Sequence, residues 1–195
     1  MTGWGQDCPR ASTILIESLI GSCLSGSRAG RGLQDPPQGL GAAAPEQELW
    51  SLDDLVRDAV DSLGARDRVE IVGEAPLVNV DAGQIQRVLA NLVENALKFS
   101  PPDASVLVRI TATRKEAIVR VVDQGPGLPE SELERVFEPF YRRDAARGGA
   151  GLGLAIARGF AAANGGRIWA ESRPAQGATF GLALPVVEVP AELAT

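Results

Sequence analysis

These 195 residues contain no histidine. No imidazole is therefore available among them as a nucleophile or a phosphoryl acceptor. Excess positive charge is missing too: 19 Lys and Arg stand against 25 Asp and Glu, a formal net charge of −6. Neutralising phosphates on nucleic acid needs clustered Lys and Arg. The sequence has no such patch, so neither nucleic acid nor an anionic membrane surface is expected as a partner. No apolar run approaches the ~20 residues that span a bilayer. The best stretch, Ile14 to Leu24, is interrupted by Glu17, Ser18, Gly21 and Ser22. With Asp7 and only Arg10 ahead of it, it also makes a poor secretory signal. Cysteine is scarce. Cys8 and Cys23 lie in a low-complexity stretch and read as free thiols suited to a reducing cytoplasm. The expectation is a cytoplasmic protein with no membrane insertion.

What is present is the composition of an ordinary globular domain, 45% hydrophobic and 23% charged. The length suits one domain of about 100 to 150 residues plus an appendage. Residues 26–47 are dominated by Gly, Ala, Pro, Ser and Gln, with Pro36, Pro37 and Pro45, and read as a flexible linker. Ahead of it, within 1–25, Ile16, Leu19, Ile20 and Cys23 fall at helical spacing and predict a short amphipathic helix. A main domain is expected over 48–186 and a frayed tail over 187–195.

Within the main domain, Leu52, Leu55, Val56, Ala59, Val60 and Leu63 repeat at three and four behind Ser51, with Asp54 completing a relative of the capping box. Val69 to Val72 reads as a short strand. Asp81 caps a second helix whose stripe is Ile85, Val88, Leu89, Leu92, Val93, Ala96 and Phe99. Val106 to Thr111 and Ala117 to Asp123 alternate as a hairpin turning through Thr113, Arg114 and Lys115. A third helix from Gly153 to Ala163 stops at Asn164-Gly165-Gly166. Arg167 to Ser172 and Thr179 to Leu184 close the sheet. Helices and strands mix without strict alternation, which predicts an α+β fold: a two-layer sandwich of three helices on one mixed sheet of about five strands.

Three groups of residues carry chemistry. On a helical wheel Asn91, Asn95 and Lys98 lie within about 60° on one border of the apolar stripe. Two carboxamides and an ammonium on one edge suit a magnesium triphosphate, because a carboxamide oxygen is a hard ligand and Mg²⁺ takes few protein ligands beside phosphate oxygens and water. Asp123 ends a strand and leads into Gln-Gly-Pro-Gly. Its carboxylate can accept an adenine amine, with Gly125 and Gly127 letting backbone approach the base. Gly149, Gly151 and Gly153 run into the third helix, whose N-terminal amides attract anions. Leu152, Leu154 and Ile156 are expected to anchor this hinge in the core.

In order, Asn91 to Ser100, Asp123 to Gly127, Phe137 to Tyr141 and Gly149 to Leu154 resemble the N, first G, F and second G boxes of the ATP-binding domain of sensor histidine kinases. That domain belongs to the wider gyrase, Hsp90, histidine kinase and MutL superfamily. The resemblance covers roughly 48–186 and implies the same layered fold, with ATP and Mg²⁺ as cofactors. It makes Asn95 the metal ligand, places Asn91 and Lys98 near the phosphates, and makes Gly149, Gly151, Leu152, Gly153 and Leu154 part of the nucleotide cradle. Thr179 would line the adenine pocket.

Where the gyrase and Hsp90 branches carry a water-activating glutamate, this sequence has Asn91, which cannot act as a base and so favours phosphoryl transfer over hydrolysis. Tyr141, Arg142, Arg143, Asp144 and Arg147 resemble the mobile lid, with Arg142 or Arg143 neutralising γ-phosphate charge. Phe137 and Phe140 are expected to pack the lid base. Two positions depart from the family pattern: Ala150 replaces a usual hydroxyl residue, and Asn164 replaces a frequent histidine.

The family's acceptor histidine lies on a two-helix dimerisation domain, of which residues 10–20 and Ser27-Arg28-Ala29-Gly30 resemble only the second helix and its exit. The expectation is transfer to a histidine on another polypeptide, a dimerisation or phosphotransfer protein that in turn serves a response regulator. A Met at position 1 suits a natural split kinase, and a truncated piece of a larger one fits as well. A serine-directed kinase of the anti-sigma type, or a regulatory ATP-binding module without transfer, are the alternatives.

Overall fold

The computed structural model describes residues 46–143, 150–172 and 175–187. The expected helix within 1–25, most of the linker and the tail beyond Val187 lie outside them, as do Asp144, Arg147 and Gly149.

Strand β1 (Glu48–Ser51) runs into helix α1 (Leu52–Ser62). All five expected apolar positions within α1 are buried. Ser51 is its N-cap by position, but its side chain makes no capping bond, so the expected capping box is not formed. Strands β2 (Val69–Gly73) and β3 (Leu77–Val80) precede helix α2 (Ala82–Phe99). Here the cap is real: the Asp81 carboxylate accepts the Gln84 amide at 3.0 Å. Strands β4 (Val106–Ala112) and β5 (Glu116–Val122) form the expected hairpin. Helix α3 (Gly153–Ala163) is followed by β6 (Arg167–Ser172) and β7 (Ala178–Pro185).

Five strands form one mixed sheet in the order β2-β4-β5-β7-β6. β2 pairs parallel with β4, and the remaining pairs are antiparallel. The parallel pair forces a crossover, and α2 lies in it. β1 and β3 make a separate antiparallel ribbon, joined to the end of β7 through a bridge between Val78 and Val186. Neither ribbon strand is expected from sequence, since four residues carry too little alternation to stand out. Val78 and Val80 are nonetheless fully buried.

One cluster unites the inner faces: Leu52, Leu55 and Val56 of α1; Ile85, Leu89 and Leu92 of α2; Val108, Val119 and Leu182 of the sheet; and Ala157 and Ala161 of α3. Small alanines on α3 let it sit close to α2. On the other face of the sheet Trp169 lies flat over Gly181, where a Cβ would fall 2.3 Å from the indole.

Candidate active site

Helix α2 is held at its start by a side chain from α3. Asn164 is 2% exposed, its Oδ1 accepts the Asp81 amide at 2.8 Å, and its Nδ2 donates to Gln84 Oε1 and the Phe160 carbonyl. Asn164 also closes α3: the Gly166 amide donates to the Ala161 carbonyl and the Gly165 amide to Ala162, the Schellman arrangement. The residue that departs from the family pattern is therefore a fully bonded tie between the two helices. With its start fixed and its apolar stripe buried as far as Ala96, α2 presents Asn91, Asn95 and Lys98 along one open edge, and Phe99, the last expected stripe residue, is half-buried on the cleft wall. Asn91 reaches α3, donating from Nδ2 to the Gly153 carbonyl at 3.1 Å. The Lys98 ammonium sits 5.7 Å from the Phe99 ring centroid.

Asp123 marks the other end of this edge. The Gln124 amide donates to Ser100 Oγ at 3.1 Å, which sets the turn against the C-terminus of α2. The carboxylate is 5% exposed, and its Oδ1 accepts the Gly125 amide at 2.8 Å and the Ala178 amide at 2.9 Å. Oδ2 has no donor among the described residues and is the oxygen left for a ligand. Burial pushes the carboxyl above the usual aspartate range, while the two backbone amides pull it back. At Gly125 a Cβ would lie 3.0 Å from both Asp123 Oδ1 and the Phe99 carbonyl oxygen, so its smallness serves this turn.

The glycine segment closes the third side. Gly151 has φ +71, and a Cβ would stand 2.8 Å from the Tyr141 carbonyl oxygen and 2.9 Å from the Phe140 carbonyl carbon. Only glycine meets both demands. Its carbonyl accepts the Phe140 amide at 2.9 Å, which ties the root of the lid to the head of α3. Phe137 packs as expected, buried and edge-on to Phe180 at 6.4 Å. Phe140 does not: it is 72% exposed with φ +65. The leucine expectation holds for Leu154 alone, which is half-buried, packs against the core and also lines the cleft; Leu152 is half-buried on the cleft and Ile156 is exposed, because Ala157 and Ala161 are the α3 residues turned fully into the core.

Beside the lid root, Arg143 donates to the Gly127 carbonyl and lies 3.7 Å from Glu132. Arg135 stacks over Tyr141 at 4.9 Å, and burial, reinforced by Glu132, pushes the Tyr141 phenol up.

These three sides enclose a cleft of about 690 Å³. It gathers Asn91, Asn95, Lys98, Asp123, Gly127, Arg142, Arg143, Gly151, Leu152, Gly153 and Leu154 on one surface. Two expected residues are not on it. Gly125 sits behind Asp123, and Thr179 is replaced by its neighbours Ala178 and Phe180, since alternation along β7 turns Thr179 the other way. Gly149 lies outside the described residues. Sequence reasoning overlooked Arg87, Glu94, Leu128 and Val136, which also line the cleft. Arg87 had a legible signal, being one turn before Asn91. Among the described residues no three His, Cys, Asp or Glu side chains cluster to hold a metal. The Asn95 carboxamide on the cleft surface offers one hard oxygen, which by itself would suit only a cation that arrives with phosphate oxygens and water.

A family model described as "Histidine kinase-, DNA gyrase B-, and HSP90-like ATPase" matches residues 80–188. The chain belongs to this family. Sensor histidine kinase WalK of Bacillus subtilis is 43% identical over 117 residues, 57% of this chain and 19% of WalK. Sensor protein KdpD of Mycobacterium tuberculosis is 35% identical over 177 residues, 84% of this chain and 19% of KdpD. Among solved structures, the mycobacterial sensor histidine kinase MprB superposes with TM-score 0.65 at 28% identity, covering 73% of this chain and 99% of that one. Full-length ShkA in complex with AMPPNP gives 0.66 at 31% identity, covering 78% and 34%. The chain thus contains the ATP-binding catalytic domain of a two-component histidine kinase and spans about a fifth of the length of WalK and KdpD. No helix among the described residues is long and apolar enough to cross a membrane.

Proposed function

We propose that this domain binds MgATP in the 690 Å³ cleft and passes the γ-phosphoryl group to a histidine on another polypeptide. The observation that carries the reading is convergence: the carboxamide edge of α2, the open oxygen of Asp123 and the glycine-led head of α3 meet on one surface. In this reading Asp123 Oδ2 accepts the adenine amine. Asn95 supplies one oxygen to Mg²⁺, whose contribution is to neutralise phosphate charge. Asn91, Lys98 and the amides of Gly151 and Gly153 hold the phosphates, and Arg142 or Arg143 meets charge developing on the γ-group. Asn91 itself cannot serve as a base for water, which favours transfer of the phosphoryl group to a nucleophile brought in from outside.

None of the 195 residues is histidine, so the acceptor lies outside them, and in this reading it is carried by a partner. Its product would serve a response regulator, and ATP supply places the reaction in the cytoplasm. The functional unit would run over 48–186.

The test is incubation with γ-labelled ATP and magnesium, alone and with histidine-bearing dimerisation domains from the same genome, beside Asn95→Ala. Acid-labile label on a partner, lost in the variant, supports the reading. Acid-stable label on serine would move the protein to the anti-sigma type of kinase. Tight ATP binding with no labelled partner would make it a regulatory module.

A further inference from the structure

The cleft has a direction. Its base end is set by Asp123 at the C-terminus of α2, where Gln124 bonds Ser100 and Gly125 abuts the Phe99 carbonyl. Moving back along the same helix edge come Lys98, Asn95 and then Asn91, which bonds Gly153 at the head of α3. One more turn brings Arg87, which also lines the cleft. It falls within about 40° of Asn91 on the helix wheel and about 6 Å further along the axis, roughly 16 Å from Lys98. Arg87 is exposed, and among the described residues it has neither an ion-pair partner nor a side-chain hydrogen bond. Glu94 is the one carboxylate on this stretch of edge, and it lies back toward the base end.

We propose that Arg87 is a catalytic residue at the acceptor end of the cleft, contacting the phosphoryl group in transit and not the bound nucleotide. The inference rests on the phosphotransfer reading above. A nucleotide with its base at Asp123 lays its phosphates between Lys98 and Asn91, so the next position along the edge is where the transferred group must travel. In the transfer, a lone pair on the acceptor imidazole nitrogen forms the N–P bond as the bond from the γ-phosphorus to the bridging oxygen breaks. That electron pair leaves on ADP, and the proton on the other ring nitrogen passes to solvent. Negative charge on the moving group shifts toward the acceptor, where a guanidinium with no competing carboxylate partner stabilises it. Because this contact forms only during transfer, it raises the rate without tightening ATP binding.

The experiment compares wild type, Arg87→Ala and Arg87→Lys, with Arg109→Ala on the far sheet face as a charge-loss control. Equilibrium binding of ATP and ADP is measured first, then single-turnover transfer from γ-labelled ATP to the histidine-bearing domains at saturating concentrations. The expected result is a Kd for both nucleotides within twofold of wild type in every variant. Transfer should fall on the order of a hundredfold in Arg87→Ala, recover partly in Arg87→Lys and stay unchanged in the control. Unchanged transfer in Arg87→Ala overturns the assignment while leaving the kinase reading intact. A rise in Kd that accounts for the lost rate overturns it too, by making Arg87 a ground-state nucleotide ligand. A wild-type protein that binds ATP but labels no acceptor removes the phosphotransfer reading and Arg87's role with it.

Discussion

Two walls of one cleft are built on different principles. Helix α2 is 18 residues long, capped by Asp81, tied to α3 through Asn164, and anchored by six buried apolar side chains. The lid root from Phe137 to Arg143 has one buried anchor, Phe137, and beyond it polar and ring contacts that include Phe140 to Gly151, Arg143 to Gly127 and Glu132, and Arg135 to Tyr141. In the proposed reading the first wall would fix the metal and phosphates and must not move, whereas the second would admit and release the nucleotide and must. The difference shows how the fold divides precision from access: the first comes from hydrophobic burial, the second from exchangeable polar contacts.

The comparison breaks most readily at Leu92, which is fully buried on the core face of α2 between Asn91 and Asn95. Leu92→Ala should cost about 2–5 kcal/mol in urea unfolding; a loss under about 1 kcal/mol would mean that the helix is not held by its core. Next is Asn164→Ala, which leaves the Asp81 amide without its acceptor and removes the bonds to Gln84 and Phe160. A loss of about 1–3 kcal/mol is expected, with ATP affinity at low temperature nearly unchanged because the tie lies more than two turns from Asn91.

Asp123 sharpens the comparison through pH. Its carboxyl is raised by burial, so it takes up a proton at a higher pH than an ordinary aspartate. ATP binding should weaken as pH falls through that raised value, seen as a rising Kd for a fluorescent ATP analogue. For stability the sign is opposite. Between the ordinary and the raised value the unfolded chain has already lost the proton that the folded chain keeps, so stability falls as pH rises through the window. Asp123→Asn should remove both dependences.

Much of this was legible from period and spacing. The α2 stripe, the Asp81 cap, the hairpin and the glycine stop of α3 obey local rules, and each stands at its expected place. The polar edge of α2 was readable for the same reason, since helical geometry alone puts Asn91, Asn95 and Lys98 together. What escaped depended on long-range pairing. β1 and β3 are strands because they pair with each other and β3 bridges to the end of β7, and Gly125 abuts a carbonyl on α2. That Ala178 and Phe180 rather than Thr179 face the cleft depends on which face of β7 meets Asp123. Asn164 departs from the family pattern in sequence, and its role rests on three partners, two of them about 80 residues away.

The smallest expected effect tests the lid side directly. Phe140 holds φ +65 with 72% of its surface exposed, so it carries left-handed backbone strain and buries little to offset it. A non-glycine residue in that region costs roughly 1–2 kcal/mol, while glycine adds entropy to the unfolded chain. Phe140→Gly should therefore leave stability within about 1 kcal/mol of wild type, on the stabilising side if strain dominates. Hydrogen exchange at the Phe140 amide, which donates to Gly151, reports whether the root still docks on α3. Retained protection with unchanged stability would mean that backbone contacts alone seat the lid root and that the ring is exposed for another purpose. Lost protection would show that the ring, despite its exposure, holds this wall in place, and the contrast between the two walls would narrow accordingly.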